Sequence, residues 1–300
     1  MQLRNLALLA SLSGPAFGAV DQALLDLVPA EAKILYGVDV VKSLASPFGR
    51  QITARAISRN PGLDRLASVT GFDLKRDLRE VIFVSLGSSA GSKPLHYQLT
   101  LARGTFRPDR LASMANLSGA TVSMAGSVQV IRPAATMAHA SLAFLDSSTL
   151  IMGDDQTIRD VLNHRPALHQ MTPLKRKAMA ISAQQDAWFA TVSPLTELGF
   201  SQRRGLPTAF LETFREAAGG IRFSRDSIAI SAQVLAASAA DAKNAADALK
   251  AAVSLIRNPN TAVLKSAQIS ADASTIRATL ELPERGVERL FTPTTRRSAK

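Results

Sequence analysis

The sequence predicts an α+β fold of two similar halves, each a mostly antiparallel sheet with helices packed on one face. Three observations predict it. Short segments alternate apolar and polar residues, the mark of half-buried antiparallel strands rather than of a doubly wound parallel sheet. Helical segments that open on Ser-Pro, Pro or Asp punctuate those strands. Two stretches far apart also match locally, Asp146-Ser147-Ser148-Thr149-Leu150 and Asp272-Ala273-Ser274-Thr275-Ile276.

Taken in order, Ala32–Val40 reads as the first strand, and Ser46-Pro47 caps a helix carrying Phe48, Ile52 and Ala56 on one face. Asn60-Pro61-Gly62 stops it, and a short helix follows over Leu63–Thr70. Glu80–Leu86 and His96–Arg103 form a hairpin around a Gly/Ser loop, and Pro108 opens the next helix. Strands over Thr121–Ile131, Leu142–Leu145 and Thr149–Met152 precede a helix capped by Asp155. The second half repeats the plan: a strand at Ala187–Val192, the pair Ser193-Pro194, then strands at Gly220–Ser224 and Ser227–Leu235. Ser238 starts a helix whose predicted buried face is Ala242, Ala246, Leu249, Val253 and Ile256. Strands at Ala262–Ala271 and Ser274–Leu282 follow, with a last helix from Pro283. The predicted boundaries are a leader at 1–18, a first half at 19–165, a linker at 166–177, a second half at 178–291 and a basic tail at 292–300.

With 46% hydrophobic residues over 300 positions, the chain has the apolar material for a sizeable core. It has no cysteine, which excludes disulfides, thiolate metal sites and cysteine nucleophiles. Residues 1–18 read as a secretory signal peptide. Arg4 gives a positive n-region, Leu6–Leu12 an apolar core, and Ala16-Phe17-Gly18 a small-residue cleavage site before Ala19. The expected location is therefore the periplasm or outside medium, with no transmembrane segment in the mature chain. A cytosolic N-terminal helix is the alternative reading of the same residues.

Catalytic signals are thin. Gly87-Ser88-Ser89-Ala90-Gly91 spells G-x-S-x-G, and Asp154 or Asp155 with His164 or His169 follow in triad order. A nucleophile elbow needs a strand running straight into a helix, whereas Ser92-Lys93-Pro94 leads into another strand, so a hairpin loop is the preferred reading. The histidines, His96, His139, His164 and His169, form no H-E-x-x-H, and no glycine-rich phosphate cradle is spelled. No cofactor, metal site or catalytic residue is predicted.

The net charge of +11 is the remaining signal. Lys175, Arg176, Lys177, Arg203 and Arg204 are the predicted anion-contact surface, suited to an anionic lipid or polymer of the cell envelope. Nucleic acid is not expected, because Trp188, Tyr36 and Tyr97 all fall inside strands rather than on a stacking surface.

Several phrases carry a resemblance: Leu27-Val28-Pro29-Ala30-Glu31-Ala32, Ser46-Pro47-Phe48-Gly49-Arg50, Gly71-Phe72-Asp73, Arg76-Asp77-Leu78-Arg79-Glu80-Val81 and Ala102-Arg103-Gly104-Thr105-Phe106. Together they resemble a group of signal-peptide-bearing bacterial secreted proteins with no assigned activity. The resemblance spans most of the mature first half, and it implies export without implying a cofactor or a catalytic residue. The expected function is a non-catalytic binding or scaffold module of the envelope. The alternatives are a serine hydrolase using Ser89 and, if the leader is misread, a cytosolic nucleic-acid binder.

Overall fold

The computed structural model describes residues 19–58, 72–87, 98–117, 119–132, 140–163, 169–194, 212–256 and 259–283. The predicted leader, the helix at Leu63–Thr70, Ser89, Arg203, Arg204, the final helix and the basic tail all lie outside these residues.

An α+β architecture is present, and its sheet is large. Twelve strands form one sheet in the order β11-β12-β10-β9-β8-β1-β2-β3-β7-β6-β5-β4. Its centre is β1 (Ile34–Asp39), paired with β2 (Leu78–Ser85) on one side and β8 (Ala187–Thr191) on the other. Beyond β2 come β3 (Leu99–Gly104), β7 (Thr149–Gly153), β6 (Ser141–Asp146), β5 (Val128–Arg132) and β4 (Thr121–Ala125). Beyond β8 come β9 (Phe214–Phe223), β10 (Ser227–Ala236), β12 (Thr275–Pro283) and β11 (Gln268–Asp272). Every neighbouring pair is antiparallel, as the alternating segments predict.

The helices lie on both faces of the sheet, not on one. On the first face, α1 (Gln22–Leu25), α6 (Asp155–Asn163) and α7 (Pro173–Ser182) bury Leu24, Leu25, Ile158, Val161, Leu174, Ala178 and Ile181. They cover Leu35, Ile82, Val84, Leu99, Leu101 and Ile151. On the second face, Phe106 and Ala112 of α5 (Pro108–Leu117) join Ala102, Ile131 and Phe144. On that same face, α8 (Ala239–Ser254) packs Ala242, Ala245 and Ala246 on Ile276. The cause is visible in the strands: Ile82-Phe83-Val84 and Leu150-Ile151 are continuous apolar runs, which need cover on both sides.

Other departures have local causes. The first strand ends at Asp39, whose carboxylate accepts the Lys42 N–H and caps α2 (Val40–Ala45) before Ser46 caps α3 (Pro47–Ser58). Asp73 likewise caps a single turn, α4 (Leu74–Asp77), ahead of β2. Asp154 rather than Asp155 caps α6, accepting the Thr157 N–H at 2.9 Å. In α8 the buried stripe is three alanines close to the sheet, while Leu249 is exposed. Part of the predicted strand at Ala262–Ala271 is a 3-10 helix, Pro259–Ser266, and the strand is confined to Gln268–Asp272. Residues 173–177 of the predicted linker are helical and open α7.

The central β1–β8 pair sets how tightly the sheet can close. Gly37 faces Trp188 in register, and the indole lies where a side chain at 37 would stand, with a Cβ there falling 2.2 Å from the ring.

Candidate functional site

Two depressions with mixed polar and apolar linings share the first face of the sheet and touch at Lys42 and Gln185. The inner one is a cleft of about 600 Å³ against α1. Strand register builds its floor: Asp39 pairs with Glu80, Glu80 with Arg103, and Arg103 with Thr149, so four polar side chains stand in one row across β1, β2, β3 and β7. Arg103 donates to Asp21 Oδ2 at 2.7 Å, to Ser148 Oγ at 2.8 Å and to Thr149 Oγ1. The Asp21 N–H donates to Glu80 Oε2 at 3.0 Å, and the Val20 N–H donates to Ser182 Oγ at 2.9 Å. Burial, together with the negative charges of Asp21 and Asp39, pushes the Glu80 carboxyl up to about 7, against the hydrogen bond from Asp21.

The outer depression is an open groove of about 850 Å³ between the C-terminal end of α7 and the sheet. Its floor is the side of β9, β10 and β12 opposite α8. Arg222, Ser231, Gln233, Arg277, Thr279 and Glu281 stand there, and the strand register places them on one face. No described helix covers it. Among the described residues, Arg222 and Arg277 have no acidic partner within ion-pair distance, whereas Glu281 accepts the Ser227 hydroxyl at 3.1 Å. Gln185 spans the two depressions: its Nε2 donates to Ser231 Oγ at 3.0 Å, and its Oε1 is buried with no donor among the described residues.

Of the predicted anion-contact surface, Lys175 is contradicted. It is 1% exposed, beneath α7, because the helix spacing that puts Leu174, Ala178 and Ile181 inward carries Lys175 with them. Burial lowers its pKa, opposed by the nearby Asp26 charge. Lys177 is bound to Glu216 at 2.6 Å, so its charge is already compensated. Arg176 is exposed and, with Lys177, lines a separate depression of about 410 Å³ rather than the groove. Arg222 and Arg277 were not singled out by sequence, since each is an isolated arginine in an alternating strand. The only available signal was that the polar positions of β9, β10 and β12 share one face once the register is known.

Of the triad candidates, Ser89 and His164 lie outside the described residues. Gly87 is the described residue of the G-x-S-x-G run; the next described residue, Gln98, donates its N–H to the Val84 carbonyl at 3.2 Å, and β3 pairs antiparallel with β2. Asp155 is bound by Arg132, Ser141 and Arg159, and although burial raises its pKa, those bonds and charges hold it below the usual carboxylate range. His169 Nδ1 lies 3.0 Å from Asp26 Oδ2, on the segment leading into α7. Among the described residues no three His, Cys, Asp or Glu side chains gather as metal ligands, and no helix is long and apolar enough to cross a membrane. Trp188 is buried over Gly37 rather than presented to a base.

No protein-family model matches the chain, and no curated protein matches it. Among solved structures, it is similar to crystal form IV of TP0453 at a TM-score of 0.53 and 9% identity, covering 89% of this chain and 96% of that one. Crystal form I of TP0453 gives 0.52 and 11%, covering 91% and 95%. At such identities the likeness is one of fold.

Proposed function

We propose that the chain is an exported, non-catalytic binding or scaffold module of the bacterial cell envelope, processed between Gly18 and Ala19. Its partner is an anionic, hydroxyl-bearing polymer held in the groove between α7 and the open face of β9–β12. The single observation carrying this reading is the groove's composition. Arg222 and Arg277 supply positive charge not paired with any described acid. The lining acids Asp186 and Glu281 accept from the Phe223 N–H and the Ser227 hydroxyl, and Ser231, Gln233, Thr279 and the buried Gln185 carbonyl supply hydrogen-bonding groups of the kind a carbohydrate uses. A concave groove suits an extended chain better than the flat surface of a lipid bilayer.

The two-halves organisation belongs to the same proposal. Read outward from the centre, β1-β2-β3-β7-β6 and β8-β9-β10-β12-β11 follow one plan, and the matching turns pair Asp146 with Thr149 and Asp272 with Thr275. The binding groove then lies where the second unit leaves uncovered the face that α1 and α6 cover in the first.

The test is binding of the purified protein to alginate, as an acidic polysaccharide, and separately to phosphatidylglycerol vesicles. Alginate binding at 20 mM salt that weakens steeply by 300 mM is the expected result. Binding to vesicles alone reassigns the anion to lipid, and binding to neither removes the electrostatic reading.

A further inference from the structure

The inner cleft has a charge arrangement that is incomplete in one respect. Asp21 is neutralised by Arg103 at 2.7 Å and Asp39 by Lys42 at 3.1 Å. Arg79 also lines the cleft. Among the described residues, Glu80 alone of the three acids has no basic group within ion-pair distance, and its one hydrogen bond comes from the Asp21 amide. Its elevated pKa comes chiefly from desolvation, with the charges of Asp21 and Asp39 adding to it and the hydrogen bond from Asp21 and the Lys42 charge opposing it.

The chain itself can supply the missing cation. Ala19 lines this cleft beside Glu80, and the next two amides are fixed to Ser182 and Glu80. At most about 7 Å of extended chain separates the Ala19 nitrogen from the Asp21 nitrogen, which itself lies 3.0 Å from Glu80 Oε2. The Ala19 nitrogen therefore stays within about 10 Å of the Glu80 carboxylate, on the order of one Debye length. While residue 18 is attached, that nitrogen is an uncharged amide. Hydrolysis of the Gly18–Ala19 bond adds one water: Gly18 departs with the carboxylate, and Ala19 keeps an amine that is mostly protonated at neutral pH. We propose that processing makes the Ala19 α-ammonium the counter-ion of Glu80, so that cleavage completes the cleft and fastens the N-terminal segment to the sheet and to α7. The proposal rests on the export reading above.

A pH signature follows. With Ala19 in an amide, Glu80 titrates in the fold above its ordinary value of 4.5, so the unfolded chain loses that proton first and stability falls as pH rises from 4.5 towards 7. With a free α-ammonium, Glu80 is drawn back down and the fall shrinks. The experiment compares the chain beginning at Ala19 with a free amine against the same chain Nα-acetylated, by thermal unfolding at pH 7 and by carbon-13 NMR titration of Glu80. The free amine is expected to raise Tm by about 2–4 °C and to lower the Glu80 pKa, and the Tm gap is expected to close in Glu80→Gln. Equal Tm and equal Glu80 titration in the two forms would overturn the ion pair. The export reading fails separately: a native chain isolated from cells that still begins at Met1 contradicts it and leaves the comparison of the two forms standing.

Discussion

On the β1–β7 side of the sheet, β2, β3 and β7 are packed from both directions, with Ile82, Leu101 and Ile151 under α1, α6 and α7 and with Val81, Ala102 and Leu150 in the cluster that α5 joins. On the other side, β10 and β12 bury Ile228, Ile276 and Leu282 on one face and present Gln233, Arg277 and Thr279 to solvent on the other. The same antiparallel ladder therefore serves two purposes. Where both faces are apolar, a residue is explained by packing. Where one face is polar and exposed, packing does not account for Arg222 and Arg277, and these are the residues the proposed binding function uses.

Substitutions can break that contrast. The largest effect is expected at the doubly covered strands: Ile82→Ala should cost about 3–4 kcal/mol in urea unfolding, while Thr279→Ala on the open face should stay within about 0.5 kcal/mol. Equal costs would mean that the open face is covered in solution. Next, Gly37→Ala should cost about 2–3 kcal/mol, because the added methyl meets the Trp188 indole across the central pair. Lys175→Met should fall within about 1.5 kcal/mol of the native chain, since the side chain's stem is already packed. It should also flatten part of the pH dependence. A lysine whose folded pKa is lowered withdraws stability as pH falls from its ordinary value of 10.5 to the folded value, so the native chain should lose relative to the variant across that alkaline-side window. The smallest stability change, below about 0.5 kcal/mol, is expected for Arg222→Ala and Arg277→Ala, whose effect should appear in binding.

How much of this was legible in the sequence depended on whether the deciding contact was local. Caps, prolines and alternation placed the Ser46-Pro47 helix, the β6–β7 and β11–β12 hairpins and the Ser238 helix, since each is set within a few residues. The helix over 173–182 carried its own signals, Thr172 before Pro173 and Leu174, Ala178 and Ile181 at helical spacing, but the Lys175-Arg176-Lys177 run masked them as a charged connector. Long-range facts were out of reach. That Lys175 points inward, that Asp39, Glu80, Arg103 and Thr149 form one row, and that Arg222 and Arg277 share an exposed face all depend on strand order and register. The charge run drew attention to Lys175, which is buried, while the two arginines of the proposed groove stand singly in alternating strands.

The most direct test of the central claim is the affinity for alginate at low salt of Arg222→Ala/Arg277→Ala, measured beside Lys175→Met. The account predicts that the double arginine variant loses at least about tenfold in affinity and part of its salt dependence with Tm unchanged, while Lys175→Met binds as the native protein does. Native affinity in the arginine variant, or a loss confined to Lys175→Met, would contradict the assignment of the open β9–β12 face as the binding surface.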